Sequence, residues 1–162
     1  MFTIRRATLQ DAKNISHLVR TLLPFFTIHA DGRGAEPFLE TVSIDGMSKI
    51  LQSEDFRYFV AEAKDAQDQH SLAGVVALRR LNDRFSHVYH WFVAPAFHGQ
   101  GLGRQLWQFI LDDAIQTSDP ERLTVNASVF AHPLYRQFGF VDTAERQEQH
   151  GLAFIPMELK IR

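Results

Sequence analysis

The sequence contains no cysteine, so its 162 residues offer no disulfide framework, no thiolate zinc ligand and no cysteine nucleophile. No apolar run approaches the roughly 20 residues that span a bilayer, and no signal-peptide pattern opens the chain. These absences exclude several chemistries and lead us to expect a cytoplasmic protein that has no membrane partner.

An excess of basic residues is also missing. Lys and Arg together number 17 against 19 Asp and Glu, which gives a formal charge of −2. Proteins that bind the phosphate backbone of nucleic acids usually carry a basic excess, so we expect no nucleic-acid partner. The hydrophobic fraction of 45% and the length suit one globular domain over residues 1–162.

The order of the elements predicted from periodicity indicates an α/β domain of the α+β kind. Strands are predicted at 2–7, 58–63, 72–80, 85–93, 123–125, 138–141 and 152–161, and helices at 9–22, 40–53, 102–118 and 133–137. The three consecutive strands after the second helix have short connections, which favours an antiparallel meander. Residues 142–151 are polar and are predicted to form an exposed loop.

A glycine cluster lies between the third strand of this meander and the long helix. It reads His98, Gly99, Gln100, Gly101, Leu102, Gly103, Arg104. Backbone N–H groups and the positive end of the helix dipole converge at such a junction, and glycine allows a ligand to approach the backbone closely. The cluster therefore predicts a phosphate-binding loop, with a plain turn at a helix start as the alternative.

Two other phosphate motifs do not fit this spacing. A dinucleotide fingerprint needs G-x-G-x-x-G within a βαβ unit, whereas this chain has G-x-G-x-G after an antiparallel meander. A P-loop needs Lys and then Ser or Thr after the last glycine, but Arg104 and Gln105 follow Gly103. A redox enzyme that uses NAD or a kinase that uses ATP is therefore disfavoured.

Two linked signatures resemble those of the GCN5-related N-acetyltransferase (GNAT) family. The first is the glycine loop after Phe92-Val93-Ala94-Pro95, and the second comprises Asn126, Ala131 and the run Tyr135-Arg136-Gln137-Phe138-Gly139-Phe140. The resemblance implies a mixed, mostly antiparallel sheet of about six or seven strands, about four helices, and a splay between strands 4 and 5. His98 stands where the family usually has Arg or Gln.

The same resemblance implies acetyl-CoA as the co-substrate, with its diphosphate at residues 98–104. Its pantetheine arm is then expected along the backbone of Trp91, Phe92 and Val93, because strand splaying leaves unpaired N–H and C=O groups there. Asn126 is expected to contact the cofactor or a water, although it could instead be a turn residue.

Tyr135 matches the family's acid for the leaving thiolate, and a phenol is a proton donor at neutral pH. The alternative is that Tyr135 only packs on Phe138 and Phe140. His87 and His90 are the candidate general bases, since imidazole has a suitable pKa. Being three positions apart, they face opposite sides of a regular strand unless a bulge intervenes.

Either histidine could instead be a hydrogen-bonded structural residue. A metal site made of His87, His90 and His98 lacks both a helical i, i+4 pair and a neighbouring carboxylate, so no metal is expected.

Phe25, Phe26, Phe38 and Trp91 are expected to wall an acceptor pocket. Asp31 and Glu36 could attract a cationic amine, or could be ordinary charges of a solvated loop.

The predicted function is transfer of an acetyl group to a small-molecule or peptide amine by direct attack, because no cysteine can carry a covalent intermediate. The alternative is an acyl-CoA-binding or sensing module that does not turn over. A homodimer through the last strands or an exposed sheet edge is a further expectation.

Overall fold

The computed structural model describes residues 2–162, which contain eight strands and five α-helices. The strands are β1 (Phe2–Arg6), β2 (Phe56–Lys64), β3 (His70–Arg80), β4 (Phe85–Val93), β5 (Arg122–Ser128), β6 (Val141–Asp142), β7 (Gln147–Gln149) and β8 (Leu152–Lys160). The helices are α1 (Ala12–Thr21), α2 (Glu36–Thr41), α3 (Ile44–Gln52), α4 (Leu102–Thr117) and α5 (His132–Gln137), with short 3₁₀ segments at Leu9–Asp11, Leu23–Phe25 and Pro95–Phe97.

The strands form one sheet in the order β1-β2-β3-β4-β5-β8-β6, with β7 also paired to β8. All neighbours are antiparallel except β4 and β5, which pair in parallel only from Phe85 opposite Arg122 to His87 opposite Thr124. Beyond His87 the two strands separate, so one edge of β4 is left without a strand partner among residues 2–162. The predicted α/β class, the mostly antiparallel sheet and the splay between strands 4 and 5 are confirmed.

The sheet has more strands than the six or seven expected, because of the segment after α5. Residues 138–140 do not form a strand, since the N–H of Phe140 donates to the Tyr135 carbonyl at 3.1 Å and closes the helix, with Gly139 at φ +97°. Of the strand predicted over 138–141, only Val141 is in a strand, β6, which pairs with β8. The segment 142–151, predicted as an exposed loop, contains β7, so this prediction is only partly correct.

The single helix predicted over 40–53 is two helices, α2 and α3. The Ser43 hydroxyl accepts a hydrogen bond from the Gly46 N–H at 3.0 Å and begins α3 as its N-cap. A β-carbon on Gly46 would lie 2.4 Å from the carbonyl oxygens of Glu40 and Thr41. Glycine is therefore needed at position 46, where the two helices meet. The same glycine argues against one continuous helix over 40–53.

The sheet has a hydrophobic core on each face. Successive residues of β2 alternate between them: Phe59 packs with α4 and α5, whereas Tyr58 and Val60 pack with α1 and α3. Each fully buried large side chain contributes about 1.5–3 kcal/mol, so both layers hold the central strands firmly. The rigid sheet fixes the positions at which β4 and β5 diverge.

Candidate active site

The glycine cluster forms the turn that leads from β4 into α4. Gly99 and Gly101 have φ values of +76° and +80°, and Gly101 is the N-cap of the helix. The backbone N–H groups of residues 101–104 donate no hydrogen bond to any acceptor within residues 2–162. A β-carbon built on Gly99 or Gly101 meets nothing within 4 Å, so the turn faces open space. Four free donors at the start of a 16-residue helix fit an anionic diphosphate.

This turn borders a cavity of about 600 Å³ at the end of the splay, here called the first cavity. Its wall includes β4 residues, the segment between β5 and α5, and α5 itself. From the predicted cofactor set it contains Trp91, Phe92, Val93, His98, Gly99, Gly101, Leu102, Gly103, Arg104 and Tyr135. The unpaired edge of β4 therefore opens on the same space as the free N–H groups.

The side chains of His98 and Gln100 both bond to backbone carbonyls of the chain. The His98 Nε2 lies 2.7 Å from the carbonyl oxygen of Val93, so this nitrogen carries a proton and donates. The exposed Gln100 side chain donates to the Ala96 carbonyl at 3.3 Å and does not line the cavity. His98 thus ties the loop to the end of β4, and the Gln100 side chain points away from the cavity wall.

Trp91 connects β4 to the start of α4. Its indole N–H donates to the Gly103 carbonyl at 3.1 Å, and its ring stacks on Trp107 at a centroid distance of 5.6 Å. The Tyr135 ring meets Trp91 edge-on at 5.0 Å. These contacts hold the glycine turn and α5 in fixed positions relative to the splayed strand.

A second cavity of about 420 Å³ lies between α2, β4, β5 and the turn from β7 to β8. The residues that line both cavities are Phe26, Trp91, Phe92, Ser128, Ala131 and Tyr135. Burial raises the pKa of Tyr135, so its hydroxyl stays protonated at neutral pH. That hydroxyl makes no hydrogen bond among the described residues, and it is available where the two cavities meet.

A β-bulge puts the two candidate histidines on one face of β4. Leu78 pairs with Val88 and Ala77 pairs with His90, so Tyr89 is the extra residue. His87 lies opposite Arg79, two residues from Ala77 on β3, and both histidines line the second cavity. The opposite-face expectation for a regular strand does not hold here because of this bulge.

His87 is half-buried, and its Nδ1 lies 2.7 Å from the Thr124 hydroxyl. Burial, and secondarily the positive charge of Arg79, lowers the pKa of His87 below its ordinary value. The imidazole is therefore neutral at pH 7 and can accept a proton. A Nδ1–H that donates to Thr124 Oγ1 leaves Nε2 as the basic nitrogen.

His90 is in a different environment, with a side chain that is only 3% exposed. Burial lowers its pKa to about 3, and its Nδ1 lies 2.7 Å from the Tyr58 hydroxyl. Burial also raises the pKa of Tyr58, so this phenol keeps its proton and donates it to Nδ1. His90 then carries its own proton on Nε2, which is buried without a partner among residues 2–162.

The predicted acceptor residues do not all reach the second cavity. Phe26, Phe38 and Trp91 line it, while Phe25 lines only the first. The exposed Asp31 faces neither cavity and lies 3.8 Å from Arg33. Glu36 also faces neither cavity, and its carboxylate accepts a hydrogen bond from the Gly34 N–H at 3.1 Å.

Asn126 borders the second cavity rather than the first, and its exposed side chain extends from β5, where its partner on β8 is Pro156. Several lining residues were missed by the sequence analysis: Ser128, Phe130, Leu134, Gln149 and Phe154. Phe130 had a usable signal, since Val129 and Phe130 are two apolar residues between a strand and a helix. Gln149 and Phe154 had none, because strand pairing brings them to the site.

Among residues 2–162 no cluster of three or more His, Asp or Glu side chains could hold a metal ion. The helices in this part of the chain are all too short or too polar to cross a bilayer.

Solved structures that are similar to this chain include several N-acetyltransferases. The PaiA N-acetyltransferase of Thermoplasma acidophilum, in complex with coenzyme A, is 15% identical with a TM-score of 0.73, and 99% of each chain is covered. The spermidine N-acetyltransferase of Vibrio cholerae, in complex with CoA and spermine, is 23% identical with a TM-score of 0.71 over 98% of this chain and 95% of that one. The ribosomal-protein-S18-alanine N-acetyltransferase of Escherichia coli is 20% identical with a TM-score of 0.69 over 99% and 94%.

The acetyltransferase (GNAT) domain family matches residues 26–161, and the chain belongs to this family. No curated protein sequence matches the chain. The predicted family is confirmed, and so is the predicted co-substrate at the level of the family, whose enzymes use acetyl-CoA.

Proposed function

We propose that the chain is an acetyl-CoA-dependent N-acetyltransferase that acetylates a primary amine by direct attack in a ternary complex. The observation that carries this proposal is the meeting of two cavities at Tyr135. One cavity has the free backbone donors of residues 101–104, and the other has a neutral histidine that can take a proton. Acetyl transfer to an amine needs a cofactor site and an acceptor site that adjoin each other.

The first cavity is proposed to hold coenzyme A. The N–H groups of residues 101–104 bind the diphosphate, and the dipole of α4 adds to its stabilisation. On the edge of β4 that faces away from β3, the backbone of Trp91 to Val93 offers hydrogen bonds to the amides of the pantetheine arm, as an added strand would, apart from the Val93 carbonyl, which accepts from His98. When bound, acetyl-CoA supplies an acetyl thioester. The amine nitrogen forms an amide bond to the thioester carbonyl carbon, while the carbon–sulfur bond breaks and the thiol leaves.

His87 is proposed as the general base. Its Nε2 takes the proton that the amine must lose, and the hydrogen bond between Nδ1 and Thr124 orients the ring. Tyr135 is proposed as the general acid, because it holds a proton on a hydroxyl that has no other hydrogen-bond partner within residues 2–162. Amine and sulfur then each have one residue that handles their proton.

His90 is proposed as a positioning residue and not as a base. At pKa about 3 it does not accept a proton at neutral pH, and its Nδ1 already receives the Tyr58 proton. The pair lies beside the bulge at Tyr89 and fixes the curvature that turns His87 toward the second cavity.

The test is release of free thiol from acetyl-CoA in the presence of a panel of primary amines, preceded by thermal shift with acetyl-CoA, coenzyme A, NAD and ATP. Stabilisation by acetyl-CoA and amine-dependent thiol release are expected. Stabilisation without release by any amine would indicate a binding or sensing module. Stabilisation by NAD or ATP alone would overturn the assignment of the first cavity.

A further inference from the structure

We propose that the acceptor is a small monoamine with an aromatic or aliphatic body, and that a polyamine is a poor acceptor. The inference rests on the proposed function and concerns the second cavity. It depends on three features of that cavity: an aromatic wall, a lining that contains no acidic side chain among residues 2–162, and a small volume.

Aromatic side chains make up much of the wall. Phe26 lies between Phe38 on α2, with ring centroids 5.2 Å apart, and Phe92 on β4, with centroids 5.4 Å apart. Tyr89 and Phe154 add two more rings from β4 and β8. Such a surface gains free energy by removing an apolar body from water, and it gives flat rings favourable edge or face contacts.

The same wall offers no acidic partner to a cation. Among residues 2–162, the side chains that line the second cavity include no Asp, Glu, Lys or Arg. The two carboxylates of the nearby loop are engaged elsewhere, Asp31 beside Arg33 and Glu36 on the Gly34 N–H. Burial also keeps His90 and Tyr89 uncharged.

This charge pattern discriminates between amines. A monoamine carries a single charge, and it loses that charge when the base takes its proton before acetyl transfer. A polyamine carries further ammonium groups, and each one that enters the cavity loses hydration without gaining an ionic partner. One ammonium could lie over a ring, but a cation–π contact does not replace several carboxylates.

Two loops meet near the second cavity, next to its lining residues His150 and Leu152. The Ile28 N–H donates to the Gly151 carbonyl at 2.9 Å, which joins the segment after α1 to the turn between β7 and β8. Gly34 and Gly151 meet so closely that a β-carbon on Gly151 would lie 2.4 Å from the Gly34 carbonyl carbon. The cavity has a volume of about 420 Å³, which suits one small molecule.

The test compares monoamines with amines that carry further amino groups, and the first pair differs only in a second amino group. Thiol release from acetyl-CoA is measured with n-hexylamine against hexamethylenediamine, and with phenethylamine against spermidine. We expect kcat/KM for each monoamine to exceed that of its polycationic counterpart by about 100-fold. An equal or higher kcat/KM for the diamine or spermidine overturns the inference while leaving the acetyltransferase function intact. Release with none of the four amines, although acetyl-CoA binds, also overturns the inference, and the wider amine panel then decides the acetyltransferase function separately.

A charge variant tests the location. Gln149→Glu adds one carboxylate to the wall with little change in shape, and it is expected to shift the hexylamine-to-diamine ratio about 10-fold toward the diamine. Gln67→Glu makes the same charge change in the turn between β2 and β3, away from the cavity, and should leave the ratio unchanged. An equal shift in both variants, or a shift in neither, contradicts acceptor binding in the second cavity.

Discussion

The two cavities that meet at Tyr135 are built in different ways. The donors of the first cavity are backbone N–H groups from one continuous segment, residues 101–104, at the start of one helix. The second cavity is built from side chains of α2, β4, β5, α5 and the hairpin of β7 and β8. Backbone donors are the same for every sequence that can adopt the turn, whereas side-chain walls change with each substitution.

This difference separates the two tasks of the site. In the proposed function, the first cavity recognises a fixed ligand through peptide groups and a helix dipole, so its requirements are a backbone conformation and freedom from negative charge. In the same proposal, the second cavity sets which amine reacts, and it can change while the first is retained. Substitutions in the glycine turn should therefore affect cofactor binding, and substitutions in the second cavity should affect proton transfer or the choice of acceptor.

The largest effect is expected from Gly101→Glu. The new carboxylate at the turn repels the diphosphate of coenzyme A, and affinity by calorimetry should fall about 100-fold or more. Gly101→Gln is the matched control, because it has the same size and the same strain at φ +80° without the charge. Equal affinities for these two variants would mean that charge at the turn is unimportant and that the diphosphate binds elsewhere.

Tyr135→Phe is expected to lower kcat by about 100-fold at neutral pH, because the leaving thiolate loses its proton donor. Binding of acetyl-CoA should stay within about 2-fold of the parent, since the ring keeps its contact with Trp91. Steady-state kinetics and calorimetry measure the two effects. An unchanged kcat would remove Tyr135 from the proton-transfer role and leave it as a packing residue.

His87→Gln should lower kcat/KM about 10-fold to 100-fold and remove the acidic limb of its pH profile. In the parent the base works only when it is deprotonated, and burial lowers its pKa below the ordinary value of about 6.5. Activity should therefore fall as the pH decreases through this lowered pKa. His90→Gln is the control, and it should retain the acidic limb even if its rate is reduced. Loss of the limb in His90→Gln alone would assign the base to His90.

His90 should also affect stability, in a direction set by its pKa. The folded state holds His90 neutral down to about pH 3, whereas the unfolded chain protonates it near pH 6.5. The free energy of unfolding should therefore fall as pH decreases from about 6.5 toward 3, by up to roughly 1.4 kcal/mol per pH unit for this group. Urea unfolding of the parent and of His90→Asn checks this: the slope should be shallower by about 1 kcal/mol per pH unit in the variant. Identical slopes would contradict a neutral buried His90.

The smallest effect is expected from Gln100→Ala. The Gln100 side chain is exposed and does not line the first cavity, so affinity for coenzyme A should stay within about 2-fold. Calorimetry beside Gly101→Gln makes the comparison. A large loss with Gln100→Ala would show that side chains, and not only the backbone, form this binding site.

The sequence alone was enough to predict most of what depends on local signals. The glycine turn is contiguous and follows a strand whose bounds, 85–93, match β4, so its N–H groups could be placed without tertiary information. The run from Tyr135 to Phe140 is similarly local. The family resemblance then supplied the splay, which pairing of Phe85 to His87 with β5 confirms.

What depended on long-range pairing was harder to predict. The bulge at Tyr89 arises from register between β3 and β4, and no periodicity in β4 marks it. Gln149 and Phe154 reach the second cavity only because β7 and β8 form a hairpin beside β5. The split between α2 and α3 had one local signal, Gly46 three residues after Ser43, which a capping argument could have used.

The central claim is that the backbone N–H groups of the glycine turn bind the diphosphate of coenzyme A. Titration of ¹⁵N-labelled protein with coenzyme A, followed by amide chemical shifts, tests it directly. We predict that the amides of residues 99–104 shift most strongly, and that coenzyme A slows their hydrogen exchange. Binding that leaves these six amides unperturbed while others shift would contradict the account.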